Sequence, residues 1–242
     1  MRVTLLSAML GLTVSACGAA GASLPDAKTA SWEAAPATSA PAPGAPPGAA
    51  APIAAPPPES ALAGEGFQLV EDEHGVKVFR REQRPGVELA AVGNLDAPPA
   101  QVRKALLDYP THQRWQEHLA QNRILDRGPD HLVVYQRLAL PLIDDRDFTL
   151  LVTWGEEGDV LWMRFASAPE RGPAEVPDVV RVRDHTGGWR LGPLDGGRRT
   201  HAVYRFHLDL AGSVPMWLGK GRAADDVIRF FQNLGAQLPA YR

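Results

Sequence analysis

SVPMWLGKGRAADDVIRFFQNLGAQL, residues Ser213 to Leu238, reads as one amphipathic helix. Ser213 can cap it, and Pro215 falls in the first turn, where a missing N–H is harmless. Ala223, Val227, Phe230, Phe231, Leu234 and Leu238 recur at three- and four-residue spacing. Asp225, Asp226, Arg229, Gln232 and Asn233 fall on the other side. The apolar face is therefore wide and aromatic. Gly219 and Gly221 interrupt the helix, each at up to about 1 kcal/mol relative to alanine. Ser213–Lys220 is accordingly expected as a separate short turn hinged on the main helix. Whatever covers the apolar face must come from upstream, where the chain reads almost entirely as strands.

Working backward, Thr200–Leu210 alternates, with Ala202, Tyr204, Phe206, Leu208 and Leu210 on one face. His201, Arg205, His207 and Asp209 share the other face, which is expected to meet solvent. Asp195-Gly196-Gly197 is a hairpin signal joining this strand to Trp189–Leu194. Val179–Arg183, Val160–Ala166, Asp147–Trp154 and His131–Leu140 read as further strands, with a turn at Gly155–Gly158. Ser167–Pro177 carries three prolines and a glycine and is expected as a loop. Pro98-Pro99 opens a helix over Ala100–Leu107, and a second short helix is expected over His112–Leu119. In Val87–Asp96, Leu89, Ala91, Gly93 and Leu95 point one way and Glu88 and Asn94 the other. Phe67–Glu71 and Val76–Arg81 form a first hairpin through Glu73-His74-Gly75. The order of elements predicts an α+β fold, a curved antiparallel sheet wrapped around a long C-terminal helix.

The first third of the chain is different in kind. Met1-Arg2 and the apolar run Val3–Val14 are too short for a spanning helix and suit a secretion signal, residues 1–16. The run ends in Val14-Ser15-Ala16-Cys17-Gly18, which resembles the lipobox of bacterial lipoproteins. That resemblance implies that Cys17 becomes the lipidated first residue of the mature chain. Gly18 is not the aspartate that retains enteric lipoproteins at the inner membrane, so the expected address is the outer membrane, facing the periplasm. Residues 17–64 then collapse to Ala, Pro, Gly and Ser, with ten of the chain's 22 prolines. Such a segment cannot offset the entropy of ordering and is expected to act as a tether, reaching on the order of 35–40 Å as a flexible coil. The folded domain is expected over 65–242.

A net charge of -3 argues against a nucleic-acid partner. One cysteine excludes an internal disulfide and a cysteine-based metal site. The seven histidines show no metal-ligand spacing, no serine sits in a nucleophile elbow, and neither Gly219-Lys220-Gly221-Arg222 nor Gly196-Gly197 fits a phosphate loop. No cofactor or catalytic residue is expected.

A set of short motifs stands in a telling order. Gly93-Asn94-Leu95-Asp96-Ala97-Pro98-Pro99 precedes a helix, and Trp115 follows it. Then come Arg146-Asp147-Phe148, Gly188-Trp189, Pro193-Leu194 and Pro215-Met216-Trp217-Leu218. Together, from about Phe67 to Leu238, they resemble START domains, the lipid-transfer domains related to the steroidogenic acute regulatory protein. The resemblance implies a helix-grip fold with an internal hydrophobic cavity that holds a sterol, phospholipid or similar amphiphile. It also implies a protein that is no enzyme. Arg146 and Asp147 of that set are read as an ion pair fixing a strand entry.

Candidate walls of the cavity are Leu89, Ala91, Leu150, Val152, Phe165, Tyr204 and Phe206 from the sheet, with Val227, Phe230 and Phe231 from the helix. Trp115, Trp189 and Trp217 are added by the resemblance as wall or lid. Arg137 and Arg164 lie among apolar strand positions, and Arg137 is the candidate for a head-group contact. The small residues Ala91, Gly93 and Ala202 leave two readings open: unfilled volume, or close approach of the helix. A monomer exchanging lipid with a membrane is the expected behaviour, because burial is worth about 0.8 kcal/mol per methylene against water but little against a bilayer. Two alternatives remain, a cyclase- or aromatase-like enzyme built on His207, Asp209 and Arg205, and an interaction module with a filled core.

Overall fold

The computed structural model describes residues 59–82, 85–140, 143–211 and 222–242. Helix α1 (Glu59–Leu62) and a 3-10 turn lead into the hairpin β1 (Gln68–Glu73) and β2 (Val76–Arg81). Strand β3 (Val87–Leu95), helices α2 (Pro99–Leu107) and α3 (Tyr109–His112), and strand β4 (Leu119–Arg127) follow. Next come β5 (His131–Leu138), β6 (Asp145–Glu157), β7 (Val160–Ser167), β8 (Val179–Arg181), β9 (Asp184–Leu194) and β10 (Arg199–Asp209). Helix α4 (Arg222–Gln237) ends the fold with a 3-10 turn. The sheet runs β1-β2-β3-β10-β9-β7-β6-β5-β4, antiparallel except where β8 adds in parallel to β6. Among the described residues no helix is long and apolar enough to cross a membrane.

Helix α4 lies in the concave face of the sheet. Ala224, Val227, Ile228, Phe231, Leu234 and the following Leu238 are buried there. The stripe is thus centred slightly off the expected one: Ile228 is inside, and Phe230 sits on its flank, partly buried. Polar clips hold the far end of the helix. The Gln101 amide donates to the Leu238 carbonyl at 2.6 Å, Asn233 donates to the Trp115 carbonyl at 2.7 Å, and the Tyr241 hydroxyl donates to Asp108 at 2.8 Å. The turn and hinge expected over Ser213–Gly221 lie outside the described residues.

The sequence reading misplaced one element. Residues 113–118 are turns and Leu119–Arg127 is the edge strand β4, not a continuation of helix. His118 at φ 63° ends the helical path. Bulges at Leu119/Gln121 and Ile124/Asp126 break the alternation, so the strand has no clean period of two. Strand β9 also begins five residues earlier than Trp189, because Gly187 and Gly188 pair in the ladder despite their poor strand propensity.

The convex face is not simply solvated. Leu62 and Phe67, from the segment before β1, cover Ala90, Val92 and Val203 in a second small core. Beside it Glu88, 5 % exposed, accepts from both Arg81 and Arg205, and both guanidiniums lie over the Phe67 ring at 5.0 Å. Arg205, expected in solvent, is therefore roofed and paired.

Candidate ligand-binding cavity

Ladder register builds the site. Tyr204 stands beside Trp189, and Trp189 beside Met163. In the next row Phe206, Gly187 and Phe165 are neighbours, and beyond it Leu208 faces His185. A Cβ on Gly187 would lie 2.5 Å from the Phe165 ring and 2.8 Å from Phe206, so only glycine lets those two rings flank one row. Phe148 and Leu150 of β6, Gln136 and Leu138 of β5 and Leu119 of β4 continue the wall along the sheet, and Leu106, Tyr109, His112 and Gln116 complete it. Under Phe230 these walls leave a cavity of about 220 Å³. That exceeds the roughly 150 Å³ of an engineered apolar cavity able to bind benzene.

The lining is rich in rings and, among the described residues, contains no Asp, Glu, Lys or Arg. Trp189 stacks on Tyr204 at 4.2 Å, and Phe230 lies 5.7 Å from Trp189 and 6.1 Å from Tyr204. Polar atoms are few and neutral. Burial pushes the Tyr109 and Tyr204 phenols well above their ordinary range, with the Tyr109 phenol adding to the shift at Tyr204. His112, 3 % exposed, has Nε2 3.2 Å from the Ala105 carbonyl, and burial lowers it to about 4. His185 is lowered to about 3 by burial and, secondarily, by the nearby His207.

A second pocket of about 200 Å³ adjoins the first, sharing Gln116, Leu138 and Phe230 with it. Its other walls are polar: Glu117, His118, Asp226, Arg229 and Asn233, beside Leu140. Arg229 donates to Glu117 across its rim, and burial raises the Asp226 carboxyl. Taken together, the two spaces fall within the about 300–1,000 Å³ typical of small-molecule sites.

Of the residues expected to line a cavity, Leu150, Phe165, Trp189, Tyr204, Phe206 and Phe230 do so. Leu89 borders a separate space of about 150 Å³ with Val87, Ala223 and Ala224, and Ala91, Val152, Val227 and Phe231 are buried in the core instead. Gly93 explains why: a Cβ there would sit 3.1 Å from the Phe231 ring, so its smallness brings the helix close rather than leaving space. Trp115 stands behind the wall, 5.3 Å from Phe230. Trp217 lies outside the described residues, as does Cys17. Arg137 does not face the cavity. It alternates with Gln136 and turns to the convex side, where it pairs with Asp145 at 2.6 Å. Arg164 is likewise convex, lying 4.4 Å over the Trp162 ring. Arg146 and Asp147 do not pair with each other. Asp147 accepts from Arg181 at 2.6 and 3.0 Å and from the Tyr135 hydroxyl at 3.0 Å, while Arg146, 2 % exposed, donates to the Asp144 carbonyl.

Sequence reasoning missed the polar lining. Gln136 sits one position from Arg137, and alternation from Leu132 and Val134 assigns it inward. Gly187 and Gly188, just after His185, hide the start of β9 in the sequence, so its pattern gives His185 no face. Tyr109 and His112 come in on a helix of only four residues, too short to show a period. Among the described residues no cluster of three or more His, Cys, Asp or Glu could hold a metal ion.

Solved structures share this fold. A STAR-related lipid transfer protein from Xanthomonas axonopodis aligns with TM-score 0.65 and 24% identity, covering 72% of this chain and 99% of its own. Human StAR-related lipid transfer protein 5 aligns with TM-score 0.65 and 22% identity, covering 75% of this chain and 95% of its own. The human StarD13 lipid transfer and protein localization domain aligns at 0.58 and 21%, covering 72% and 95%. No curated protein matches the chain. The family model for the START domain does match, over residues 67–240, and with the grip of sheet on helix it places this chain in the START domain family.

Proposed function

We propose that this protein binds an uncharged, hydrophobic small molecule in the cavity under Phe230 and carries or presents it in a bacterial envelope. START domains bind lipids and other hydrophobic ligands. The observation that carries the reading for this chain is the cavity beneath its C-terminal helix, lined with rings and, among the described residues, without a charged side chain. A filled interaction module has no use for such a space, since an apolar void forfeits dispersion contacts on every side. The cyclase-like alternative drew on His207, Asp209 and Arg205, none of which lines the cavity.

The address rests on the sequence. The run ending at Cys17 and the Pro/Ala-rich residues 17–64 fit a lipid-anchored, monomeric carrier at the outer membrane, its domain held on a tether within reach of a bilayer. Native mass spectrometry of the protein extracted from its own cells tests the central reading. A stoichiometric apolar adduct supports it, and a bare apo mass after mild extraction, with no uptake from added lipid extract, would end it.

A further inference from the structure

The segment just ahead of β1 is folded onto the back of the cavity wall. The family model begins at Phe67, so residues 59–66 lie ahead of the family's span. Helix α1 and its 3-10 turn close at Gly66, whose φ of 84° reverses the chain. The Gly66 and Phe67 amides donate to the Ala63 and Leu62 carbonyls at 3.2 and 3.1 Å. That reversal sets Leu62 and Phe67 over Ala90 and Val92 of β3 and Val203 of β10. Polar ties surround the contact: Glu59 pairs with Lys77 at 2.9 Å, Glu65 with Arg205 at 2.8 Å, and the Glu65 carbonyl accepts from Arg81.

Strand β10 serves both faces. Val203 and Arg205 meet the segment on the convex side, while Tyr204 and Phe206 line the cavity. Arg205 is the closest link, since it donates to Glu65 and Glu88, lies 5.0 Å over the Phe67 ring, and stands between two cavity residues in the chain. The segment can nevertheless leave without unpairing the sheet, because the ladder starts only at Gln68. A single helical turn has no stability of its own, and its ion pairs are partly exposed. It is also the first described element after the Pro/Ala-rich run, so a load on that run reaches it before the sheet.

We propose that residues 59–67 are a releasable strap that sets how firmly the cavity holds its ligand. Docked, the strap stiffens β10 behind Tyr204 and Phe206, and the ligand is retained. Undocked, that wall loosens and the ligand leaves. This rests on the cavity being the ligand site. A wall left mobile must be ordered again by the ligand, which weakens binding, and a bound ligand that has already ordered it favours docking by the same factor.

Butylpyrene, an uncharged fluorescent hydrocarbon, titrated into the purified full-length protein tests this. Leu62→Asp sets a carboxylate against Ala90 and Val92 and should release the strap. Affinity is expected to fall about tenfold, mainly through faster probe dissociation. Glu65→Gln should give a smaller loss, and His201→Ala, on β10 but bonded to Asn94 instead, none. The wild-type protein supplies the reciprocal reading, which needs no variant to fold: hydrogen exchange at the Gly66 and Phe67 amides should slow about tenfold with probe bound. If Leu62→Asp does not fold, that exchange result decides alone. If a folded Leu62→Asp protein binds the probe as tightly as wild type, or bound probe protects α4 and leaves Gly66 and Phe67 unchanged, the strap is overturned while the cavity stands. If the wild-type protein binds no probe, the cavity reading falls and this inference with it.

Discussion

At the scale of single residues, two strand glycines each admit an aromatic side chain that a Cβ would exclude. A Cβ on Gly93 would lie 3.1 Å from the Phe231 ring of the helix, and one on Gly187 would lie 2.5 Å from the Phe165 ring at the cavity wall. Gly93→Val should therefore overpack the helix seam and cost about 1–3 kcal/mol in urea denaturation. Asp147 is a buried hub: its carboxylate is 1 % exposed and is bonded by Arg181, itself 6 % exposed, and by Tyr135. Asp147→Asn leaves the guanidinium short of its counter-charge, and a loss of roughly 3–5 kcal/mol is expected in the same measurement. The two cavity histidines make stability depend on pH. Folding lowers His112 from 6.5 to about 4 and His185 from 6.5 to about 3. Below 6.5 the unfolded chain takes up protons that the folded one refuses, so stability is full above that value and falls as pH drops. Each histidine contributes up to about 1.4 kcal/mol per pH unit. Unfolding should thus become roughly 2–4 kcal/mol easier at pH 5 than at pH 7, and less so in His185→Phe.

At the scale of elements, α4 is clamped unevenly. Among the described residues its polar ties begin at Arg229, with Glu117, and continue through Asn233 to the Leu238 carbonyl. Ahead of Arg229 the helix is held by apolar contact alone, through Ala224, Val227 and Ile228. Leu234, fully buried in the clamped half, should lose about 2–5 kcal/mol on truncation to alanine. Phe230 already borders empty space on both sides, and Phe230→Ala should cost less than Leu234→Ala. It should also join the two pockets, so that ligands too wide for the native cavity gain affinity; equilibrium titration with a bulky pyrene derivative checks this. The edge strand β4 shows why some elements escape a reading by pattern. Its two bulges shift the inward residues to Leu119, Asn122 and Ile124, a spacing that belongs to neither strand nor helix. The Asn122 amide, donating to the Tyr109 carbonyl, is what fastens that strand to α3.

At the scale of the whole molecule, the chain divides into a segment with almost nothing to bury and a domain with a grip fold over 67–240. If Cys17 carries the anchor, Cys17→Ser should move the protein from the membrane to the soluble fraction of its own cells without changing probe affinity. That outcome is read by fractionation alongside titration. What the sequence determined by itself was the grip: the helical period of Val227 to Leu238 and the alternation of Thr200–Leu210 and Val87–Asp96 each specify a buried face, and two such faces have one efficient way to cover each other. What only the tertiary structure decided was which part of that shared interior is solid and which is hollow. An inward side chain looks the same in sequence whether its opposite number fills the gap or leaves it. Phe231 meets filled space, while Phe206 and Phe230 meet a void, and nothing in their spacing along the chain separates the two cases. Tertiary geometry likewise turned Arg137 outward and His185 inward, because the face a strand residue shows is set by where the strand begins and by the register of its neighbours.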